Sequence, residues 1–361
     1  MRVLVVTTWF PSPERPGVAP FSVAHAKAIA RNHDVHVVHA VRNGTAGPVT
    51  GEYCGLTVTR LPFNPKRPLA ALRSLRALRR LAAGRDVVHS MAFSSILVLA
   101  PLYPAVSRKW VHTEHWSALN TASPGRAVAI ARRLMRLPRR VTAVSTAFCE
   151  LLRPFVRHGA IDVVPNVVAD DFECAPQPDW EPLKLVAVGG MIPGKRPGLA
   201  VRTLAELVRS GTRARLTWVG DGALRDDTAK QAADAGIGDL VELTGVVPLH
   251  QVAEYMRAAN LFLLPTRGET FLVSAAEALA CGRPVVLPAL GSLDYVTADN
   301  GVLVTDDDDP AAYAAAVRVA ADRFAGVPAE KIRATVLPRF GEAEIAARFD
   351  DLYRHLQPTG S

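Results

Sequence analysis

The stretch ETFLVSAAEALACGRPVV, residues 269–286, carries two carboxylates, Glu269 and Glu277, eight positions apart at a loop-to-helix junction. Its Ala-rich middle reads as a helix, Cys281-Gly282 as the helix stop, and Pro284-Val285-Val286 as the entry to a buried strand. Glu277 lies within Ala275-Ala276-Glu277-Ala278-Leu279-Ala280, and a charge in so apolar a stretch is costly unless it finds a partner. The hydroxyls of a ribose or a hexose are one such partner. A neighbouring Arg or a backbone cap is the plainer one.

The alternation of helix and strand extends outward in both directions. In the second half, LKLVAVGG, ARLTWVGDG, LVELTGVV, LFLLPT, RPVVLPA and GVLVT read as strands. Helices are expected between them at 198–210, 223–236, 248–259, 271–281 and 309–325. The first half repeats the pattern. Its strands are RVLVVTTW, DVHVVHAV, LTVTRLP, DVVHSMA, KWVHTEH, RVTAVST and IDVVPN; its helices are SVAHAKAIARN, PLAALRSLRALRRLAAG and RAVAIARRLMRL. Short, nearly continuous apolar strands separated by helices predict parallel sheets covered on both faces. The expected fold class is α/β, with two Rossmann-like parallel-sheet domains facing across a cleft. The expected boundaries are an N-terminal domain at 1–168, an acidic, Pro-containing linker at 169–182 and a C-terminal domain at 183–340. An amphipathic helix at 341–361 is expected to pack back toward the N-terminal domain.

The chain has 361 residues and is 49% hydrophobic, which supports two full cores. Cys54, Cys149, Cys174 and Cys281 form no CxxC pair. That argues against a disulfide framework or a zinc site and fits a reducing cytoplasm, the expected location. MRVLVVTTWFPSPERP reads as a first buried strand rather than a secretory signal. The most apolar later run, AFSSILVLAPLYPAV at 92–106, is too short and too Pro-broken to span a membrane.

The net charge of +8 conceals an asymmetry. Residues 1–168 hold 23 Lys+Arg against 7 Asp+Glu, a balance of +16, while the remainder holds 19 against 27, a balance of −8. An anionic surface or ligand is therefore expected for the first half. On a helical wheel of KRPLAALRSLRALRRLAAGR, residues 66–85, Leu72, Leu75, Leu78 and Leu81 share one broad side. Arg73, Arg76 and Arg80 gather opposite, with Arg79 near the boundary, and RRLMRLPRR at 132–140 adds five more arginines. An anionic membrane surface is thus an expected partner, with peripheral attachment at the inner membrane face. A sheet-covering helix with a solvated basic face is the simpler reading. No aromatic stacking platform or motif supports nucleic-acid binding.

In open parallel sheets, ligands bind beyond the carboxyl ends of the strands. The loop VGGMIPGKRP at 188–197 occupies such a position. Gly189 and Gly190 permit close backbone approach, the helix start offers N–H groups, and Lys195 adds a positive charge. Together these suit a diphosphate, though a Gly-rich turn with a surface Lys reads equally well. In VGDGALR at 219–225, Gly220 leaves room for a flat base or a phosphate, while Asp221 acting as a helix cap explains the turn by itself. In HTEHWSALN, His115 beside a cleft can hydrogen-bond a sugar hydroxyl, or else be a structural His tied to Glu114. His112 remains an open competitor. No metal-ligand cluster appears, so metal independence and the absence of a cofactor are expected.

Taken together, these residues resemble the retaining family 4 glycosyltransferases, which have the GT-B fold. The similarity covers nearly the whole chain and is strongest from about 184 to 305. Its most specific part is a Glu, seven residues and a second Glu, then an Ala-rich helix, Gly and Pro-Val-Val, standing here as ETFLVSAAEALACGRPVV. VVPN at 163–166, VGGMIPGKRP, WVGDGALR, VELTGVV and TEHWS agree in order. The resemblance implies that Glu277 binds the donor ribose, and that Glu269 contacts the transferred sugar. It implies that Lys195 holds the diphosphate, and that His115, favoured over His112, contacts the sugar. Arg196, Gly189, Gly190, Gly220, Val246, Phe271 and Leu272 are its further donor-side positions, and Gly17, Glu114 and Trp116 its acceptor-side positions.

The chain departs from the family pattern in three places. Gly190 stands where an Arg is usual, for which Arg196 is the expected compensation. Leu272 stands where a Gly is usual, which is expected to narrow the donor-sugar space. A paired Gly is reduced to Gly17. The activity implied is retaining transfer of a hexose-type sugar from a nucleoside-diphosphate donor, UDP-sugar before GDP-sugar. The acceptor implied is a hydroxyl of a small-molecule natural product or a lipid-linked acceptor. A nucleotide-sugar epimerase of the same fold, or a catalytically degenerate sugar-nucleotide-binding protein, is the alternative.

Overall fold

Each of these apolar runs forms a strand in a computed structural model that describes residues 1–12, 18–42, 47–64, 66–120, 125–157 and 161–356. The chain divides into two compact units. The first comprises Met1–Val167 together with the terminal helix Glu342–Arg354, and the second is Val168–Gly341.

The first unit contains β1 (Arg2–Thr7), β2 (Asp34–Arg42), β3 (Val49–Tyr53), β4 (Leu56–Phe63), β5 (Val87–Met91), β6 (Trp110–Glu114), β7 (Arg140–Ala143) and β8 (Ile161–Val163). They form one sheet in the order β3-β4-β2-β1-β5-β6-β7-β8. Every pairing is parallel except β3 with β4. β1 and β5 are apolar because helices cover both faces, and Val3, Val5 and Val87 are fully buried. β3 escaped the sequence reading because it is a solvent-exposed edge strand without an apolar run. The signal that marks it is the two-residue turn Cys54-Gly55, with φ of 50° and 75°, the geometry that matches the twist of a hairpin.

Three elements of this unit bear on function. The helix Pro68–Ala83 buries the line Ser74, Leu78 and Ala82, and the Ser74 hydroxyl donates to Pro62 O at 2.7 Å. Leu72 is not on this buried side. It lies about 120° around the helix from Leu78 and is 44% exposed, next to the arginines it was expected to oppose. The run 92–106 breaks into the helices Phe93–Leu99 and Tyr103–Val106. The terminal helix Glu342–Arg354 buries Ile345, Ala346, Phe349, Leu352 and Tyr353, the spacing of one helical face. It packs on the helix Pro20–Ala30, tied at its edge by Asn32 Nδ2 donating to Asp350 at 2.8 Å. Among the described residues no helix is long and apolar enough to cross a membrane.

The second unit contains β9 (Leu183–Val188), β10 (Ala214–Val219), β11 (Val241–Gly245), β12 (Leu261–Leu263), β13 (Val285–Pro288) and β14 (Gly301–Val304). Their order is β11-β10-β9-β12-β13-β14, and all pairings are parallel. From β9 the chain steps outward to β10 and β11, then returns to β12 on the other side. The order therefore reverses between β9 and β12. That is the point where the loops leaving two neighbouring strands diverge and open a crevice.

Candidate functional site

In the second unit the loop after β9 carries Gly189, Gly190 and Lys195, and the loop after β12 carries Glu269. Because β9 and β12 are neighbours, these loops meet although 74 residues separate the two side chains. Lys195 Nζ donates to Glu269 Oε1 at 2.6 Å, with the side chains 20% and 16% exposed. Thr266 in the same loop also donates its hydroxyl to Glu269 Oε1. A backbone bond from Arg267 N to Gly194 O at 2.8 Å and a side-chain contact of the Thr266 hydroxyl with the same oxygen at 3.1 Å tie the two loops together. A cation and an anion are thus held at the mouth of the crevice, each partly open to solvent. Thr266 carried no signal in the sequence beyond closing a strand.

The glycines make this packing possible. Gly189 has φ of 155°, and a Cβ there would meet the Lys195 stem at 3.4 Å. Gly220 has φ of 138°, and a Cβ there would lie 2.2 Å from Gly189 O. The turns after β9 and β10 are therefore pressed backbone against backbone. Gly190 is different: a Cβ there would meet only Asp221 O at 3.7 Å and Ile192 at 3.9 Å, ordinary contacts. Val246, which follows Gly245 at the end of β11, is 70% exposed.

Arg196 does not provide the compensation expected of it. Its guanidinium is engaged by Asp307 at 3.1 Å and Asp308 at 2.9 Å, and its Nε donates to Pro265 O. Two carboxylates and a carbonyl hold it as a brace between loops, which leaves Lys195 as the cation turned toward Glu269.

Glu277 lies on the helix Val273–Ala280. It keeps some surface, yet protein surrounds its carboxylate, and burial followed by the charge of Asp171 raises its pKa to about 8. Phe271 and Leu272 precede the helix, and both are buried. Leu272 has φ of 63° and ψ of 73°, the left-handed conformation that suits a glycine. Its side chain is only 4% exposed. The expected narrowing of an open sugar space is therefore not what this Leu does; the substitution registers in the backbone.

In the first unit Glu114 ends β6 and is wholly buried. Its Oε1 accepts the N–H groups of Phe93 at 3.2 Å, His115 at 2.8 Å and Trp116 at 2.9 Å, and its Oε2 meets His112 Nε2 at 3.1 Å. His112 in turn bonds Ser90 Oγ at 2.8 Å. Glu114 is therefore a fastener for the loops after β5 and β6, not a group open to an acceptor, and His112 is its buried partner. His115 is buried between the rings of Phe21 at 4.4 Å and His25 at 5.2 Å. Burial, then the neighbouring His25, His112 and His89, drive its pKa well below the usual imidazole range, so it is neutral. Trp116 is half-buried and stacks on Phe93 at 5.7 Å. Gly17 lies outside the described residues.

Residues 16–172 match the family described as Glycosyltransferase Family 4, and residues 182–322 match Glycosyl transferases group 1. The D-inositol 3-phosphate glycosyltransferase of Frankia alni is 41% identical over 141 residues, which is 36% of this chain and 34% of that protein. D-inositol 3-phosphate glycosyltransferase 1 of Catenulispora acidiphila is 36% identical over 174 residues, 44% of this chain and 41% of that protein. The matches thus span only 34% and 41% of these curated relatives. Among solved structures, sucrose-phosphate synthase from Thermosynechococcus elongatus is similar with a TM-score of 0.77 at 20% identity, covering 99% of each chain. The Anabaena HepE protein in complex with UDP and glucose is similar with a TM-score of 0.77 at 16% identity, covering 98% of this chain and 100% of that one. Both likenesses show the fold.

Proposed function

We propose that this chain, which belongs to glycosyltransferase family 4 and has the GT-B fold, transfers a hexose-type sugar from a nucleoside-diphosphate donor to an acceptor hydroxyl. UDP-sugar is the first candidate donor and GDP-sugar the second; HepE, of the same fold, was crystallised with UDP. The acceptor is a small-molecule natural product or a lipid-linked hydroxyl. The named relatives are D-inositol 3-phosphate glycosyltransferases, which favours a small, polyhydroxylated acceptor.

The observation that carries this reading is the Lys195–Glu269 pair at the switch point of the second sheet. A nucleoside diphosphate is already a good leaving group, so the site has mainly to stabilise charge growing on phosphate oxygens. Lys195 does this beside the close-packed glycine loops. As the glycosidic bond to phosphate breaks, the sugar becomes oxocarbenium-like, and the Glu269 carboxylate favours that charge. The acceptor hydroxyl then attacks from the face the diphosphate leaves, which retains the anomeric configuration, and the departing diphosphate takes the proton. Glu277 receives the ribose hydroxyls, which lets its costly carboxylate hydrogen-bond. His115, neutral because it is buried, acts as a hydrogen-bonding group toward a sugar hydroxyl rather than as a charge. No metal or cofactor has a part in this scheme.

The test is a thermal-shift panel of UDP, GDP, ADP, CDP and dTDP. One diphosphate should raise the melting temperature in a concentration-dependent way, and Lys195→Ala should abolish the shift. No shift with any of the five sinks the donor assignment.

The second reading, a lipid-linked acceptor, rests on a separate surface feature. Leu69 is 74% exposed, and Leu72 shares its face of the helix Pro68–Ala83 with Arg73, Arg76 and Arg80. Residues 64–85 hold seven basic and no acidic side chains. Leucines amid arginines on one exposed face match an anionic bilayer surface. Co-sedimentation with phosphatidylglycerol vesicles at low salt should occur and weaken in high salt. Failure to bind at low salt refutes membrane attachment.

A further inference from the structure

Leu272 holds its left-handed backbone with no help from a side-chain cap. Its carbonyl accepts the Ala275 N–H at 3.1 Å in the first turn of the helix, and a second restraint comes from a distant element. The hydroxyl of Tyr295, just beyond the turn Gly291–Leu293, lies 2.9 Å from the carbonyl oxygens of both Phe271 and Leu272. The Tyr295 ring is wholly buried and boxed by Phe271 at 5.2 Å and Phe340 at 5.3 Å. A glycine would adopt this conformation unaided, whereas a residue with a Cβ is disfavoured there. The same hydroxyl fixes the direction of two peptide groups. A peptide unit is planar and trans, so its N–H points opposite to its C=O. With the oxygens of 271 and 272 drawn inward to Tyr295, the N–H groups of Leu272 and Val273 face away from the buried ring. They do so at the start of the helix that carries Glu277, three residues after Glu269.

We infer that Tyr295 is a positioning residue for the donor site: its hydroxyl compensates for a leucine in a glycine's conformation and aims the N–H groups of the helix start at donor oxygens. The inference rests on the donor-site reading above. It predicts that Tyr295 and Leu272 are energetically coupled, because the hydroxyl is needed only while a Cβ stands at position 272.

The experiment is a double-mutant cycle on the whole chain with Tyr295→Phe, Leu272→Gly and both. Tyr295→Phe keeps the packed ring and removes only the hydroxyl. Calorimetric titration with UDP, GDP, ADP, CDP and dTDP identifies the diphosphate the wild type takes. Tyr295→Phe should weaken its binding about tenfold in the wild-type background and less than about threefold in the L272G background. L272G has a cost of its own from lost burial, but that cost cancels in the cycle. Equal losses in both backgrounds, or no loss from Tyr295→Phe, overturn the inference. If the wild type binds none of the five, the donor-site reading falls. The melting temperatures of the same four proteins then decide the coupling alone, and additive shifts refute it.

Discussion

Replacing Glu269 by Gln should strengthen nucleoside-diphosphate binding while destroying transfer. Without ligand, Glu269 is the counter-ion of Lys195, at 2.6 Å in a site mostly closed to water. At an effective dielectric constant of about 20, unit charges at that separation attract by about 6 kcal/mol. Desolvation of both groups offsets most of this. What remains is on the scale of a hydrogen bond between charged groups, about 1.5–3 kcal/mol. A diphosphate must displace that contact to engage Lys195. The amide of the Glu269→Gln variant keeps an oxygen for the Thr266 hydroxyl and the shape of the loop, but it no longer competes for the ammonium. Affinity for UDP should therefore rise roughly tenfold or more, following about 1.4 kcal/mol per factor of ten. Turnover should fall by about 10²-fold or more, because the oxocarbenium-like sugar loses its nearby carboxylate. Titration calorimetry of UDP at fixed low salt, paired with a donor-consumption assay, reads both quantities. UDP affinity within twofold of wild type, or near-normal turnover, refutes the reasoning that Glu269 holds Lys195 in reserve.

Three other perturbations follow from the same geometry. Gly190→Arg meets only ordinary contacts at its Cβ, so it should fold and tighten diphosphate binding about tenfold by adding a charge-assisted hydrogen bond; the same titration checks it, and weaker binding counts against the diphosphate loop. His25 is buried against Pro165 O at 2.9 Å, and burial lowers its pKa to about 4. The unfolded chain takes up that proton first, so stability should decline as pH falls from about 6.5 to 4, by about 3 kcal/mol from this group. Urea unfolding of wild type and His25→Gln across that range should show a shallower dependence in the variant, and equal slopes would contradict it. Glu277 is shifted the other way, to about 8, so its protonated folded form is favoured and stability is lost as pH rises from about 4.5 toward 8. Glu277→Gln should melt several degrees higher than wild type at pH 8 while binding UDP more weakly. A variant that is less stable at pH 8 would show that the carboxylate already has a partner.

How much of this was legible beforehand depended on the range of the interactions involved. The thirteen strands with apolar runs announced themselves because burial on both faces demands such runs. β3 did not, because an edge strand needs no apolar face, and the short helices Ala329–Ala334 and Leu337–Phe340 carry too few turns to show a period. Glu269, Glu277 and Lys195 were readable as candidates from motif and position. Glu114 was misread because three backbone N–H groups that converge on it come from two loops, which no spacing predicts.

By itself the sequence determined the α/β alternation, the two parallel sheets, the glycine turns after β9 and β10, and the residue types able to hold a diphosphate. Those properties depend on local conformation and on periodic burial, which neighbouring residues encode. Only the tertiary structure decided the rest. It paired Lys195 with Glu269, took Arg196 out of the site through Asp307 and Asp308, turned Leu72 to the surface, and set the Tyr295 hydroxyl under Leu272. Apart from the exposure of Leu72, each of those outcomes is a contact between residues well separated in the chain. Its existence depends on strand order, and strand order is a property of the assembled sheet rather than of any segment within it.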